Sequence, residues 1–361
     1  MPARTLVRRA AAAASLALVL PLAACGGGDG GSGGSSVAMT LATPTWNAGI
    51  ASIAVSEGMG YFEEEGLDVN VVLTDSATTQ AQQIATGKAA TGAISPEPVI
   101  LGRQPGKNLD LVYFMSYYKD NIYGLMVPED SDITSVEDLR GKTVGAISLA
   151  SASVTQAQVG LEEAGVPADS VDFVAIGTGG QQAAAVESGK VDALALLDTS
   201  FQVLKNQGIA LREIEVPGAA DLTSGGLAAR ASDLEEDPEL YVKLGRAIAK
   251  GVVFAQANPE AAIEMLYDTH PEAKPSGLDE DAALASGVSV LEARLANLGI
   301  DDDTETYGEL DPAQLEAMVQ FLLDAGTITE PVDAASLYDD SLISDINDFD
   351  HDAVRQAARD R

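Results

Sequence analysis

The side chains able to do covalent or acid–base chemistry are few and scattered. The chain has two histidines, His270 and His351, and a single cysteine, Cys25. His270 lies in Thr269-His270-Pro271, a helix end, and His351 in an acidic tail, so each reads as a surface histidine. No Gly-x-Ser-x-Gly, histidine pair or cysteine pair accompanies them, which leaves no nucleophile–base set and no metal set. Gly177-Thr178-Gly179-Gly180 is too short a match for a dinucleotide fingerprint. What recurs is different. Hydroxyl and amide side chains follow β-like runs at Thr43 to Asn47, Asp75 to Thr79, Ser95 to Glu97, Ser148 to Ser153, Thr178 to Gln181 and Asp198 to Ser200. With free N–H groups at helix N-termini, such loops hold a ligand by hydrogen bonds and helix dipoles. The expectation is a binding protein rather than an enzyme, with no cofactor.

Those loops need elements to hold them, and one stretch is said nearly twice. Val171-Asp-Phe-Val-Ala leads through an Ala/Gln-rich segment to Gly189-Lys190-Val191-Asp192-Ala193 and a second apolar run ending at Asp198. About a hundred residues earlier, Val69-Asn-Val-Val-Leu leads through Gln82-Gln-Ile-Ala-Thr to Gly87-Lys88 and on to Ser95. In each copy a glycine ends the helix, as the left-handed position after a helix demands. Strand, helix and strand in this order predict a βαβ unit with parallel strands. Two such units predict two similar α/β lobes. Ligands of open parallel sheets sit beyond the carboxyl ends of the strands, so facing lobes leave a cleft between two such edges.

The length of 361 residues allows two domains with real cores, and 46% hydrophobic residues excludes wholesale disorder. The formal net charge is −34. Such a surface is repelled by nucleic acid and by anionic lipid head groups, and reads as solubility or salt tolerance. One cysteine permits no intrachain disulfide. At the start, Arg4, Arg8 and Arg9 precede an apolar run of 13 residues, Ala10 to Leu22, too short to span a bilayer as a helix, which needs about 20. Leu22-Ala23-Ala24-Cys25 and three glycines follow. This resembles a bacterial lipoprotein signal: residues 1–24 would be removed, Cys25 would take the lipid, palmitate included, and residues 25–36 would form a Gly/Ser tether.

The last third reads as helical. Pro238 opens a helix after Asp237, with Tyr241, Leu244, Ile248 and Val252 on one face. Leu284, Val288, Leu291, Leu295 and Leu298 make a second apolar stripe, and Asp311-Pro312 starts a third helix stopped by Gly326. The acidic tail from Asp339 is expected to be loosely held.

Three stretches then carry a resemblance: Gly60-Tyr61-Phe62 with Glu65-Gly66-Leu67-Asp68-Val69, then Val136-Glu137-Asp138-Leu139-Arg140-Gly141-Lys142-Thr143-Val144-Gly145, then Gly189-Lys190-Val191-Asp192-Ala193. With Asp311-Pro312 through Gly326 and Glu330-Pro331-Val332, they resemble the extracytoplasmic solute-binding lipoproteins of ABC importers for nitrate, sulfonates and taurine, and the related thiamine-precursor branch. The resemblance covers nearly all the chain after residue 37. It implies a two-lobe periplasmic-binding-protein-like fold of type II, with two crossovers and the second lobe inserted in the first. The expected bounds are 37–127 and 223–361 for the first lobe, and 128–222 for the second. It implies a monomer, tethered outside the cell membrane, that captures a sulfonate, an aromatic acid or a pyrimidine-like heterocycle for a permease and its ATPase. A sensor lipoprotein, or an enzyme on the same fold, is the alternative. The superfamily's pyrimidine synthase uses cysteines and a histidine, and the body after Cys25 has no cysteine.

The candidate contacts are Thr45, Trp46, Asn47, Ser76, Thr78, Ser95 and Glu97 in the first lobe, then Tyr118 and Asn121 before the expected crossover. In the second lobe they are Ser148, Ser151, Ser153, Thr178 and Asp198. Trp46 offers a flat ring to stack on, and Ser151 and Ser153 face an anion at a helix start. Only Lys119 supplies a nearby cation. Glu97 and Asp198 could instead accept from an N–H or amine of a neutral heterocycle.

Overall fold

Alternating β-branched runs and Ala/Gln-rich helices build two five-stranded sheets of matching design. The computed structural model describes residues 36–301 and 303–361. The segment read as a signal, Cys25 and the tether up to residue 35 lie outside the described residues. The strands are β1 (Ser36–Leu41), β2 (Asp68–Leu73), β3 (Thr91–Ile94), β4 (Leu111–Ser116), β5 (Tyr123–Pro128), β6 (Thr143–Ala146), β7 (Asp172–Ala175), β8 (Ala193–Leu197), β9 (Leu211–Ile214) and β10 (Gly226–Arg230). The first sheet has the order β2-β1-β3-β10-β4 and the second β7-β6-β8-β5-β9.

In each sheet three strands run parallel and a fourth enters antiparallel. The two repeated stretches occupy equivalent places. β2 and β3 flank β1, and β7 and β8 flank β6. The strands of each repeat are therefore parallel but not neighbours; the preceding strand slips between them. Gly87 and Gly189 stop the intervening helices with φ of 69° and 65°, where a side chain would be strained.

The antiparallel strand of each sheet is the one that has just crossed over: β5 after β4, and β10 after β9. This corrects the expected boundary at 127/128. Tyr123–Pro128 pairs with β8 and β9, so the first crossover falls at residues 117–122. The two crossing segments lie side by side. The Tyr118 N–H donates to the Gly225 carbonyl (3.0 Å), and the Ile122 N–H donates to Ser224 Oγ (2.8 Å).

Both sheets are covered on both faces, as parallel strands require. Along β4, Val112 and Phe114 join the core under helices Pro238–Ala257 and Pro259–Thr269. Leu111 and Tyr113 join the one under Ala77–Ala85 and Pro312–Asp324. The same alternation along β8 sends Ala193 and Ala195 one way, Leu194 and Leu196 the other.

The tail is not loose. Leu342, Ile343, Ile346, Val354 and Ala358 are buried between the acids. The Asp339 N–H donates to the Tyr113 carbonyl (2.7 Å), and Asn258 Nδ2 donates to the carbonyl of Ala358 (2.8 Å). Each of the buried Leu, Ile and Val side chains contributes about 1.5–3 kcal/mol, while most of the flanking carboxylates stay exposed to water. No helix among the described residues is long and apolar enough to cross a membrane.

Candidate ligand-binding cleft

The carboxyl ends of β1, β3, β6 and β8 meet around a cavity of about 1090 Å³, and helix Glu280–Leu295 forms part of its wall. Nine of the fourteen expected contacts line it. Thr45, Trp46, Asn47, Ser76 and Ser95 come from the first sheet's loops, Tyr118 from the crossover, and Ser148, Ser151 and Thr178 from the second sheet's loops. Local chemistry sets several of them. Asn47 caps the turn Ala48–Ile50 by accepting from the Gly49 N–H (2.9 Å), and Ser76 caps Ala77–Ala85 by accepting from the Thr79 N–H (3.2 Å). Ser151 starts helix Ala152–Glu163 without a side-chain cap, which leaves its hydroxyl to Ser153 (2.9 Å).

Five expected contacts lie elsewhere. Thr78 is exposed on its helix, away from the cavity wall. Ser153 is buried and donates to the Ala195 carbonyl (2.8 Å). Asn121 serves the crossover, donating to Gln156 Oε1 (2.9 Å) and to the Ala219 carbonyl (3.1 Å). Glu97 lies behind the wall, 3% exposed, where Gln156 Nε2 donates to its Oε1 (2.9 Å). Asp198 is already engaged. Its Oδ1 accepts from Arg294 Nη2 (2.7 Å) and the Thr199 N–H (2.6 Å), and its Oδ2 from Asn297 Nδ2 (3.0 Å).

Lys119 is not the cation of the cleft. Arg294 and Lys274 are in the wall instead. Arg294 is 5% exposed, with its guanidinium over the Tyr118 ring at 4.9 Å. Burial works against its charge, but Asp198 and the surrounding tyrosines hold its pKa above the usual value. Sequence reasoning missed it because Leu291-Glu-Ala-Arg-Leu295 sits in an apolar stripe that reads as core. The available signal was an arginine one position before a core leucine.

Both histidines are half-buried and stacked, correcting their reading as surface groups. His270 lies flat on Trp46, with centroids 3.6 Å apart and planes at 14°, and His351 lies on Phe349 at 3.9 Å. His270 Nε2 also meets Glu57 Oε2 at 2.7 Å. One face of Trp46 is therefore taken by protein, and the stack fixes the angle of the indole in the cavity wall.

Burial lifts the Glu97 carboxyl above its ordinary range, opposed mainly by the Gln156 amide. A raised carboxyl stabilises the fold through its neutral form. That contribution is complete below the unfolded value of about 4.3 and fades as pH rises through the folded value. Glu97→Gln is neutral throughout, so its stability should gain on the native protein's as pH climbs from about 4 to 8. Urea midpoints across that range test this. Parallel curves would contradict a carboxyl lifted by burial.

Two matched sheets, two crossovers and a cavity at the strand ends define a two-lobe α/β protein of the periplasmic-binding-protein fold. The chain belongs to the NMT1/THI5 like family, whose model matches residues 47–262. It is 27% identical over 288 residues to the formylaminopyrimidine-binding protein of Halalkalibacterium halodurans, covering 77% of this chain and 82% of that protein. It is 26% identical over 307 residues to the riboflavin-binding protein RibY of Chloroflexus aurantiacus, covering 82% and 83%. The alkanesulfonate-binding protein SsuA of Xanthomonas axonopodis pv. citri, solved with MOPS bound, shares the fold with a TM-score of 0.62 at 15% identity, covering 85% of this chain and 99% of that one.

Proposed function

We propose that the chain is the solute-capturing lipoprotein of an ABC importer. A lipid on Cys25 holds it outside the cell membrane. Its lobes close on a small organic solute and deliver it to a permease and its ATPase. The observation that carries the solute-binding part is the cavity, walled by strand ends of both sheets with rings, hydroxyls and amides. Such a mixed wall suits a ring-bearing organic molecule, whose faces pack while its edge atoms find polar partners. The names of the two relatives, a formylaminopyrimidine binder and a riboflavin binder, support the heterocycle class. Closure is a hinge motion about the two crossing segments, with the closed state selected by contacts the open one lacks.

Trp46 is the single tryptophan of the chain and lines the cavity, so intrinsic fluorescence reports on it directly. Titration of the purified protein with riboflavin, an aminopyrimidine and an alkanesulfonate should change that emission saturably for at least one. The same solute at 100 times its dissociation constant adds about 2.7 kcal/mol. That corresponds to a melting point raised by roughly 5 °C for a chain of this size. Flat emission and an unmoved melting point across the panel would remove the solute-binding reading.

A further inference from the structure

We propose that Arg294 determines which solutes the cleft accepts: with its charge cancelled by Asp198, it donates to a carbonyl oxygen of an uncharged ligand and offers a sulfonate no net cation. This deepens the solute-binding reading and rests on it.

A guanidinium carries five N–H donors in a fixed plane. Arg294 spends Nη2 on Asp198 Oδ1 (2.7 Å) and Thr199 Oγ1 (3.4 Å). Its Nη1 makes no hydrogen bond among the described residues and, unlike the fully enclosed Nε, keeps accessible surface, so it is the donor left for the cavity. One face is covered by Tyr118 at 4.9 Å, so the fork cannot swing freely and its remaining donors lie along its edge. The residue is in the cavity wall, where a ligand oxygen is the acceptor within reach.

The charges decide what kind of oxygen. Asp198, with both carboxylate oxygens in use, cancels Arg294 rather than meeting a ligand. The other cation of the wall, Lys274, is paired with Glu280, and Asp75 and Glu272 add negative charge. The helix starts at Ser151 and Gly179 bring about half a positive charge each, enough to favour a carbonyl or hydroxyl oxygen. A sulfonate here would be a desolvated anion without a counter-charge, which is costly. The ligand class that fits is an uncharged ring with carbonyl oxygens on its edge, a cyclic amide or imide.

The test compares riboflavin, its 4-thio analogue and MOPS on the native protein, on Arg294→Lys and on Asp198→Asn, by Trp46 emission. On the native protein riboflavin should bind more tightly than MOPS, and the thio analogue, a poor acceptor, about 10-fold or more weaker than riboflavin. Arg294→Lys keeps the charge opposite Asp198 but loses the fork. It should weaken riboflavin about 10- to 100-fold and bring riboflavin and the thio analogue together. Asp198→Asn uncovers the positive charge and should tighten MOPS. If a variant fails to fold, the comparison on the native protein stands alone. MOPS binding more tightly than riboflavin, or an unchanged riboflavin-to-thio ratio in Arg294→Lys, overturns this assignment while leaving solute binding intact. If none of the probes binds the native protein, both readings fall together.

Discussion

Asp198→Ala is expected to destabilise the protein by about 3–5 kcal/mol, the usual cost of stripping one member from a buried ion pair. The pair is well enclosed: the Arg294 side chain is 6% exposed and that of Asp198 is 11% exposed. Arg294 belongs to helix Glu280–Leu295, and Asp198 opens helix Asp198–Asn206 after β8. The bond therefore ties a helix of the C-terminal region to the second sheet. Truncation leaves a guanidinium without its counter-charge, removes the acceptor of the Thr199 N–H, and leaves the Asn297 amide only its bond to the Ala293 carbonyl. The double replacement Asp198→Leu with Arg294→Met removes both charges and should recover most of the loss, because the desolvation cost of the pair disappears with it. Urea midpoints of the two variants and the native protein measure this. A single variant within about 0.5 kcal/mol of the native protein would mean the pair is solvated, as surface pairs are.

Much of the architecture was legible because it depends on short-range pattern. The doubled stretch at 69–95 and 171–198 marked equivalent strands in two sheets, and the glycines that end its helices have the backbone angles the pattern demanded. Loops after strands gave eight of the cavity's lining residues, and the crossover gave a ninth, Tyr118. What failed depends on partners distant in sequence. Tyr123–Pro128 looks like a continuation of the first lobe until it is seen to pair with β8 and β9. Asp198 and Glu97 looked free to meet a ligand, yet Arg294 is 96 positions from the one and Gln156 is 59 from the other. The acidic tail hid five buried apolar residues because their spacing straddles two short helices rather than one periodic stripe. Trp46 lines the cavity, but nothing local announces that His270 already covers one of its faces.

The return crossing supplies the second large effect, at Gly226. Here the chain re-enters the first sheet between β3 and β4, hydrogen-bonded on both sides. A Cβ at Gly226 would stand 2.1 Å from the Met115 carbonyl oxygen and 2.9 Å from the Ser116 Cα. Both are backbone atoms of a paired strand, so no side chain can rotate away, and the ladder must open or β10 must leave it. At Gly225, beside it, φ is +88° and a Cβ would meet the Ile94 carbonyl oxygen at 2.2 Å. Two adjacent positions thus admit glycine alone, which keeps the crossing segments in close contact where the chain re-enters the first sheet. Gly226→Ala should lose about 3 kcal/mol or more, the severe end of overpacking, because the clash is with backbone. Gly180→Ala is the control: its Cβ would meet nothing within 4 Å and should change stability by less than about 0.5 kcal/mol. Thermal and urea unfolding of the two variants decide the matter. If Gly226→Ala behaves like Gly180→Ala, the strands at the crossing have room to separate, and the close contact of the crossing segments is not a constraint on the fold.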